Sequence, residues 1–147
     1  MRAVIACCSA PLLIACSKPQ NQQVRSPATT PTVTLSSFAG TWQVRASNEA
    51  GDSVLAYQIV ATGDPSGWKT LLPNRPPIPA NSVTISGDSA VTEQGPFESA
   101  LRKGVQVRTH GVLRLQGDRL VGYTIAHYAT KSADSVMRLN IQGTKQP

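Results

Sequence analysis

No cysteine follows residue 16 in this chain of 147 residues, and that absence excludes more than any motif does. With Cys7, Cys8 and Cys16 as the full set, the body of the protein holds neither an internal disulfide framework nor a cysteine-based metal site. Carboxylates are scarce too, with eight Asp and Glu against fourteen Lys and Arg. Most stand in turn settings (Asp52, Asp64, Asp88, Asp118 and Asp134), where a short carboxylate bonds nearby backbone amides. Enzyme chemistry needs titratable groups gathered in a cleft. Nothing in the chain has the spacing of Gly-x-Ser-x-Gly, a phosphate-binding loop, a dinucleotide fingerprint or a His-Glu-x-x-His helix. A Ser–His–Asp set can be drawn through Ser99, His110 and Asp134, as through almost any serine-rich chain. The expectation is a protein that is not an enzyme and needs no cofactor. Net charge is +6, yet the longest basic run is Arg102-Lys103, so the clustered stripe of a nucleic-acid binder is missing.

What is present divides the chain in three. Arg2 precedes an apolar run, Ala3 to Ala15, interrupted by Ser9 and Pro11. As a helix this run rises about 20 Å, too little for a hydrocarbon core of about 30 Å, so residues 1–15 read as a signal peptide. The run ends in Leu13-Ile14-Ala15-Cys16. That tetrapeptide resembles the bacterial lipobox, in which aliphatic and small residues precede an invariant cysteine. The resemblance implies a diacylglycerol on the Cys16 thiol, cleavage before Cys16, and palmitate-type acyl chains at the new N-terminus. Two or three chains hold a protein on a membrane stably at about 0.8 kcal/mol per buried methylene, whereas one does not. The competing reading is an ordinary secretory signal cut elsewhere, or a start codon other than Met1. Ser17 is not the aspartate of the inner-membrane retention signal, which favours the outer membrane, on its periplasmic side. Residues 16–36 then read as a lipidated cysteine with a polar, Pro-punctuated linker, its root-mean-square reach about 25 Å.

From residue 37 onward the pattern is all-β. Eleven Gly and eleven Pro punctuate short period-two segments. Trp42, Val44 and Ala46 alternate with polar neighbours; Ser53 to Ala61, Trp68 to Leu72, Val83 to Ile85 and Ala90 to Glu93 follow. Three longer strands run Val105 to Gln116, Arg119 to Thr130 and Ser135 to Gln142, with Gly117-Asp118 as a two-residue hairpin loop. About eight strands at meander spacing predict a single up-and-down antiparallel barrel over residues 37–147, since closure leaves no exposed edge. Two stretches read as large loops: Leu72 to Pro79, polyproline-like, and Gly95 to Gly104, with one helical turn pairing Glu98 and Arg102.

Phe38-Ala39-Gly40-Thr41-Trp42 carries a Gly-x-Trp at the head of the first strand. Followed by this meander, it resembles the lipocalin and related calycin barrels, the simpler bacterial lipocalin-like domains being nearest. The resemblance implies that Trp42 plugs one end, with an Arg or Lys of the last strand packed across it. Arg138 stands in that strand on the outward alternation, and Lys145 lies just beyond.

Alternation in the last strand puts Met137, Leu139 and Ile141 inside. The hairpin loop then pairs Leu115 with Leu120, Leu113 with Gly122, Gly111 with Thr124, Thr109 with Ala126, and Val107 with Tyr128. The small residues in the middle of this face either leave a cavity or accommodate Trp42, Trp68 and Tyr57 from the opposite wall. The candidate ligand-binding residues are Trp42, Tyr57, Gly111, Gly122 and Tyr128; Cys16 is the candidate lipidation site. The same register turns Arg108, His110, Arg114, His127 and Arg138 outward as a solvated basic patch, with too few ligands for a metal. The expected function is a membrane-anchored envelope lipoprotein that holds a small apolar or amphipathic ligand. Its alternative is a filled barrel that serves an envelope protein partner.

Overall fold

The computed structural model describes residues 32–147; the signal-peptide segment, Cys16 and the linker up to residue 31 lie outside the described residues. Eight strands follow one another: β1 (Gly40–Ser47), β2 (Ser53–Ala61), β3 (Lys69–Leu71), β4 (Ile78–Ser86), β5 (Ser89–Glu98), β6 (Gln106–Gln116), β7 (Arg119–Tyr128) and β8 (Val136–Lys145). Each pairs antiparallel with the next, and β8 returns to β1 from Trp42↔Lys145 to Ser47↔Asn140, so the sheet closes as an up-and-down barrel. Short 3-10 turns at Leu35–Phe38 and Pro65–Gly67 are the only helical elements among the described residues. Val33 and Leu35 already pack against the core, so the packed unit begins a few residues ahead of β1.

Alternation dictates the ladder. The predicted β6–β7 register appears pair for pair, from Val107↔Tyr128 to Leu115↔Leu120. Trp42, Val44 and Ala46 are buried while Gln43 and Arg45 are exposed, and Leu139 and Ile141 are buried on β8. One face of each long strand is therefore inside, as the period-two pattern requires.

Two loop expectations are corrected. The Leu72–Pro79 stretch ends earlier than expected, because β4 begins at Ile78 and includes Pro79. Proline is tolerated there because only two residue pairs, Lys69↔Pro79 and Thr70↔Ile78, join β3 to β4. The Gly95–Gly104 stretch is not a free loop with a helical turn. β5 runs through it to Glu98, with a register shift between Gln94 and Phe97 that absorbs Pro96. Gly95 sits at φ +102°, and a side chain there would press on the Val107 carbonyl. The Glu98–Arg102 pair does not form. Glu98 accepts the Gly104 amide at 3.0 Å, and Arg102 reaches Asp134 at 2.9 Å while stacking 4.0 Å from the Tyr128 ring.

Candidate functional site

The barrel has a plugged end and a loop end, with a polar belt between them. At the plugged end lie the tight turns between β4 and β5 and between β6 and β7, together with the entry to β1. Phe38 is fully buried, 5.9 Å from Trp68 between ring centroids at a tilt of 56°. Trp42 donates its indole N–H to the Phe38 carbonyl at 2.8 Å, and Trp68 donates to the Thr62 carbonyl at 2.8 Å. Each ring buries a large apolar body while its one polar atom stays satisfied. β8 runs three residues further than the alternation alone reads, which places Lys145 opposite Trp42 with Nζ 5.6 Å from the ring centroid. The cation packed across the plug tryptophan is thus Lys145, and Arg138 faces outward, 4.0 Å above the Tyr123 ring. At the loop end a second apolar cluster joins Val107, Ala126 and Tyr128, with Phe97, Val105 and Met137 against it.

Between the two lies a cavity of about 90 Å³. Its apolar walls include Leu55, Ile59, Trp68, Leu113 and Leu139; the rest is a belt of hydroxyls and one amide, from Tyr57, Thr70, Thr92, Gln94, Thr109 and Thr124. Register explains the belt. Thr92, Gly111, Thr124 and Leu139 form one row across β5, β6, β7 and β8, and Gln94, Thr109 and Ala126 form the next. Thr70 donates its hydroxyl to the Gln94 side-chain oxygen at 3.0 Å, and the Gln94 amide donates to the Ile78 carbonyl at 3.2 Å. Tyr57 is half-buried, and the desolvation of its hydroxyl pushes the pKa above the usual range, which keeps it neutral. That hydroxyl has no hydrogen-bond partner among the described residues, and none of their fully buried side-chain polar atoms lacks one. The Tyr57 oxygen therefore looks into open cavity space. Exposed Lys69 also lines the cavity, so the space reaches the surface beside β3.

The sequence-predicted residues fall in different places. Tyr57 lines the cavity. Gly111 stands between two lining threonines; a Cβ there would lie 2.5 Å from Thr92 Oγ1 and 3.5 Å from Thr124 Oγ1, so its bareness is what lets those hydroxyls draw together. Trp42 is buried in the plug and Tyr128 in the loop-end cluster, neither among the lining residues. Gly122, at φ +157°, lies where the backbones of β6 and β7 approach so closely that a Cβ would collide with the Val112 carbonyl oxygen. The polar lining residues Thr70, Thr92 and Gln94 were not foreseen. Thr92 and Gln94 share the inward parity of buried Ala90; Thr92 lay within the strand as read, and extending β5 past Glu93 would have found Gln94.

Ser99, His110 and Asp134 each have separate partners. Ser99 Oγ accepts the amides of Leu101 and Arg102 at 3.0 Å, His110 Nδ1 meets Glu93 across the β5–β6 ladder, and Asp134 holds Arg102. Glu93 is the carboxylate beside His110 that the strand pattern did not reveal. Among the described residues no three of His, Cys, Asp and Glu gather in one place. The chain matches no protein-family model, no curated protein and no solved structure.

Proposed function

We propose that this chain is a lipid-anchored protein of the bacterial cell envelope, with a lipocalin-like barrel that binds a small neutral amphipathic molecule in its lumen. The observation that carries the ligand reading is the hydroxyl-lined cavity into which Tyr57 points an unpartnered, neutral hydroxyl. A hydroxyl that opens onto cavity space without a protein partner is free to hydrogen-bond a bound polar head. No carboxylate or imidazole lines the space, which supports binding rather than catalysis. Its size limits the occupant. About 90 Å³ lies well below the roughly 300–1,000 Å³ of drug-sized pockets, so the fit is a short molecule or one end of a longer one. The Trp42–Lys145 stack supports the lipocalin-like reading. The anchor rests on Leu13-Ile14-Ala15-Cys16, with the outer membrane, periplasmic side, as the location.

The second reading, a filled barrel serving an envelope protein partner, has the two apolar clusters at either end in its favour. Titration with short-chain alcohols, read by Trp68 emission, separates the two. A saturable change, weakened about fivefold by Tyr57→Phe as expected for one lost hydrogen bond, supports the lumen; a flat titration supports the filled barrel. Native mass spectrometry of protein from its host reads the occupant directly. For the anchor, Cys16→Ser is expected to release the protein from host membranes.

A further inference from the structure

The barrel wall is electrically lopsided. β6, β7, β8 and β1, which are consecutive around the barrel, carry Arg45, Arg108, Arg114, Arg119, Arg138 and Lys145 and no carboxylate. β2 to β5 carry only Lys69, set against Glu93 and Glu98. All five arginines of the basic wall are exposed. Register interleaves them with apolar side chains row by row: Arg114 beside Val121, Gln142 and Arg45; His110 beside Ile125 and Arg138, with Glu93 of β5 paired to His110 at the edge; Arg108 beside His127 and Val136. Val136 is 54% exposed, and Arg138 lies over the Tyr123 ring. The wall is thus amphipathic across its width, with a centre of Val112, Val121, Tyr123 and Ile125 and a cationic rim.

We infer that this outer wall docks on a bilayer containing anionic phospholipid. The inference rests on the envelope reading above, which supplies a membrane within reach. Three features favour headgroups over an acidic protein. The outside of a barrel is convex, and the groove at its centre, lined by Val112, Tyr123, Arg114 and Arg138, holds only about 190 Å³, small for the buried anchor of a protein partner. A groove of about 330 Å³ between Arg45 and Arg119, lined by Gln43, Gln142 and Thr144 together with Val44 and Gly143, offers side-chain donors suited to a phosphate. Arginines, whose apolar stems lie along the surface, flank a tyrosine and aliphatic side chains, the composition that settles at the headgroup boundary. A second copy of this face is disfavoured, because it would bring cation against cation.

The test uses the full chain carrying Cys16→Ser, so that no acyl chain contributes. Partitioning is measured on vesicles of phosphatidylglycerol with phosphatidylcholine and on pure phosphatidylcholine, and the ratio is compared between variants that share one N-terminus. Each wall arginine contributes about fivefold to that ratio, so Arg114→Gln with Arg138→Gln is expected to lower it about twenty-five-fold. Arg114→Lys with Arg138→Lys is expected to restore it, separating charge from folding. Lys103→Gln with Lys131→Gln removes the same charge from the loops and is expected to lower the ratio less than about threefold. An equal fall in the loop variant overturns the wall as the docking face. An unchanged ratio in the glutamine wall variant overturns the lipid, and loss of polyglutamate binding in that same variant assigns the wall to an acidic protein instead. Failure of the anchor reads differently: the Cys16→Ser chain would stay with host membranes through a high-salt wash, which strips contacts made by the wall arginines alone.

Discussion

The plugged end and the belt above it are built from the same strands, yet they solve opposite problems. At the plug, large rings meet and every indole N–H ends on a carbonyl, so burial and satisfaction agree. In the belt, side chains of similar inward parity are small and hydroxylated, and they leave space rather than fill it. The difference teaches that one alternating pattern specifies both a core and a cavity, and that only the volume of the inward residues separates them. Stability should therefore concentrate at the plug, while adaptability belongs to the belt.

The largest expected effect tests this division. Trp42→Ala should cost about 3–5 kcal/mol in urea unfolding, the range for emptying a packed aromatic site, with loss of the Phe38 carbonyl's partner included. If a belt substitution such as Thr124→Ala costs as much, the comparison fails. Gly122→Ala comes next, at about 2 kcal/mol, because a side chain at that φ would collide with the Val112 carbonyl. Near-neutrality there, seen as an unchanged unfolding midpoint, would mean the ladder shifts freely. Tyr57→Phe should change stability at neutral pH by less than about 1 kcal/mol, since the lost hydroxyl has no protein partner to orphan.

Alkali sharpens the same point. The unfolded chain releases a tyrosine proton near pH 10, whereas folded Tyr57 holds its proton, so the raised pKa contributes stability below that pH and loses it as pH rises beyond. Ultraviolet titration should show one tyrosine that ionises only on unfolding, and Tyr57→Phe should remove it. The smallest effect is expected from Asp134. Its carboxyl is held below the usual range by Ser132 and by Arg102, so its contribution is present above the ordinary pKa of 3.8 and fades as pH falls below it. The group is fully exposed, and Asp134→Asn should leave the neutral-pH unfolding midpoint unchanged.

Much of this was legible in the sequence where alternation ran unbroken. The β6–β7 register, the inward face of β8 and the buried Trp42–Val44–Ala46 row follow from period two and one hairpin loop. Legibility failed where proline entered a strand. Pro79 and Pro96 both read as loop, because each removes a ladder donor, yet a two-pair junction and a register shift accommodate them. Ending β5 at Glu93 hid the inward Gln94 and Phe97 and with them the extent of the belt. Nor did the pattern reveal Glu93 beside His110, since that contact depends on the register between strands that no short turn fixes. Volume was the other loss. Thr109, Gly111 and Thr124 read correctly as small and inward, but whether Trp42 or open space faced them depended on where the plug sat along the barrel axis.

The brevity of β3 has a kinetic consequence. It is joined to β2 at three positions and to β4 at two, whereas β6 and β7 share ten. A ladder that short opens with little else disturbed, so its amides should exchange with solvent hydrogen well before those of β6 and β7. The cavity meets the surface at this joint, beside exposed Lys69. How long an occupant stays would then be timed by the breathing of three residues, independently of the free energy that holds the whole barrel closed.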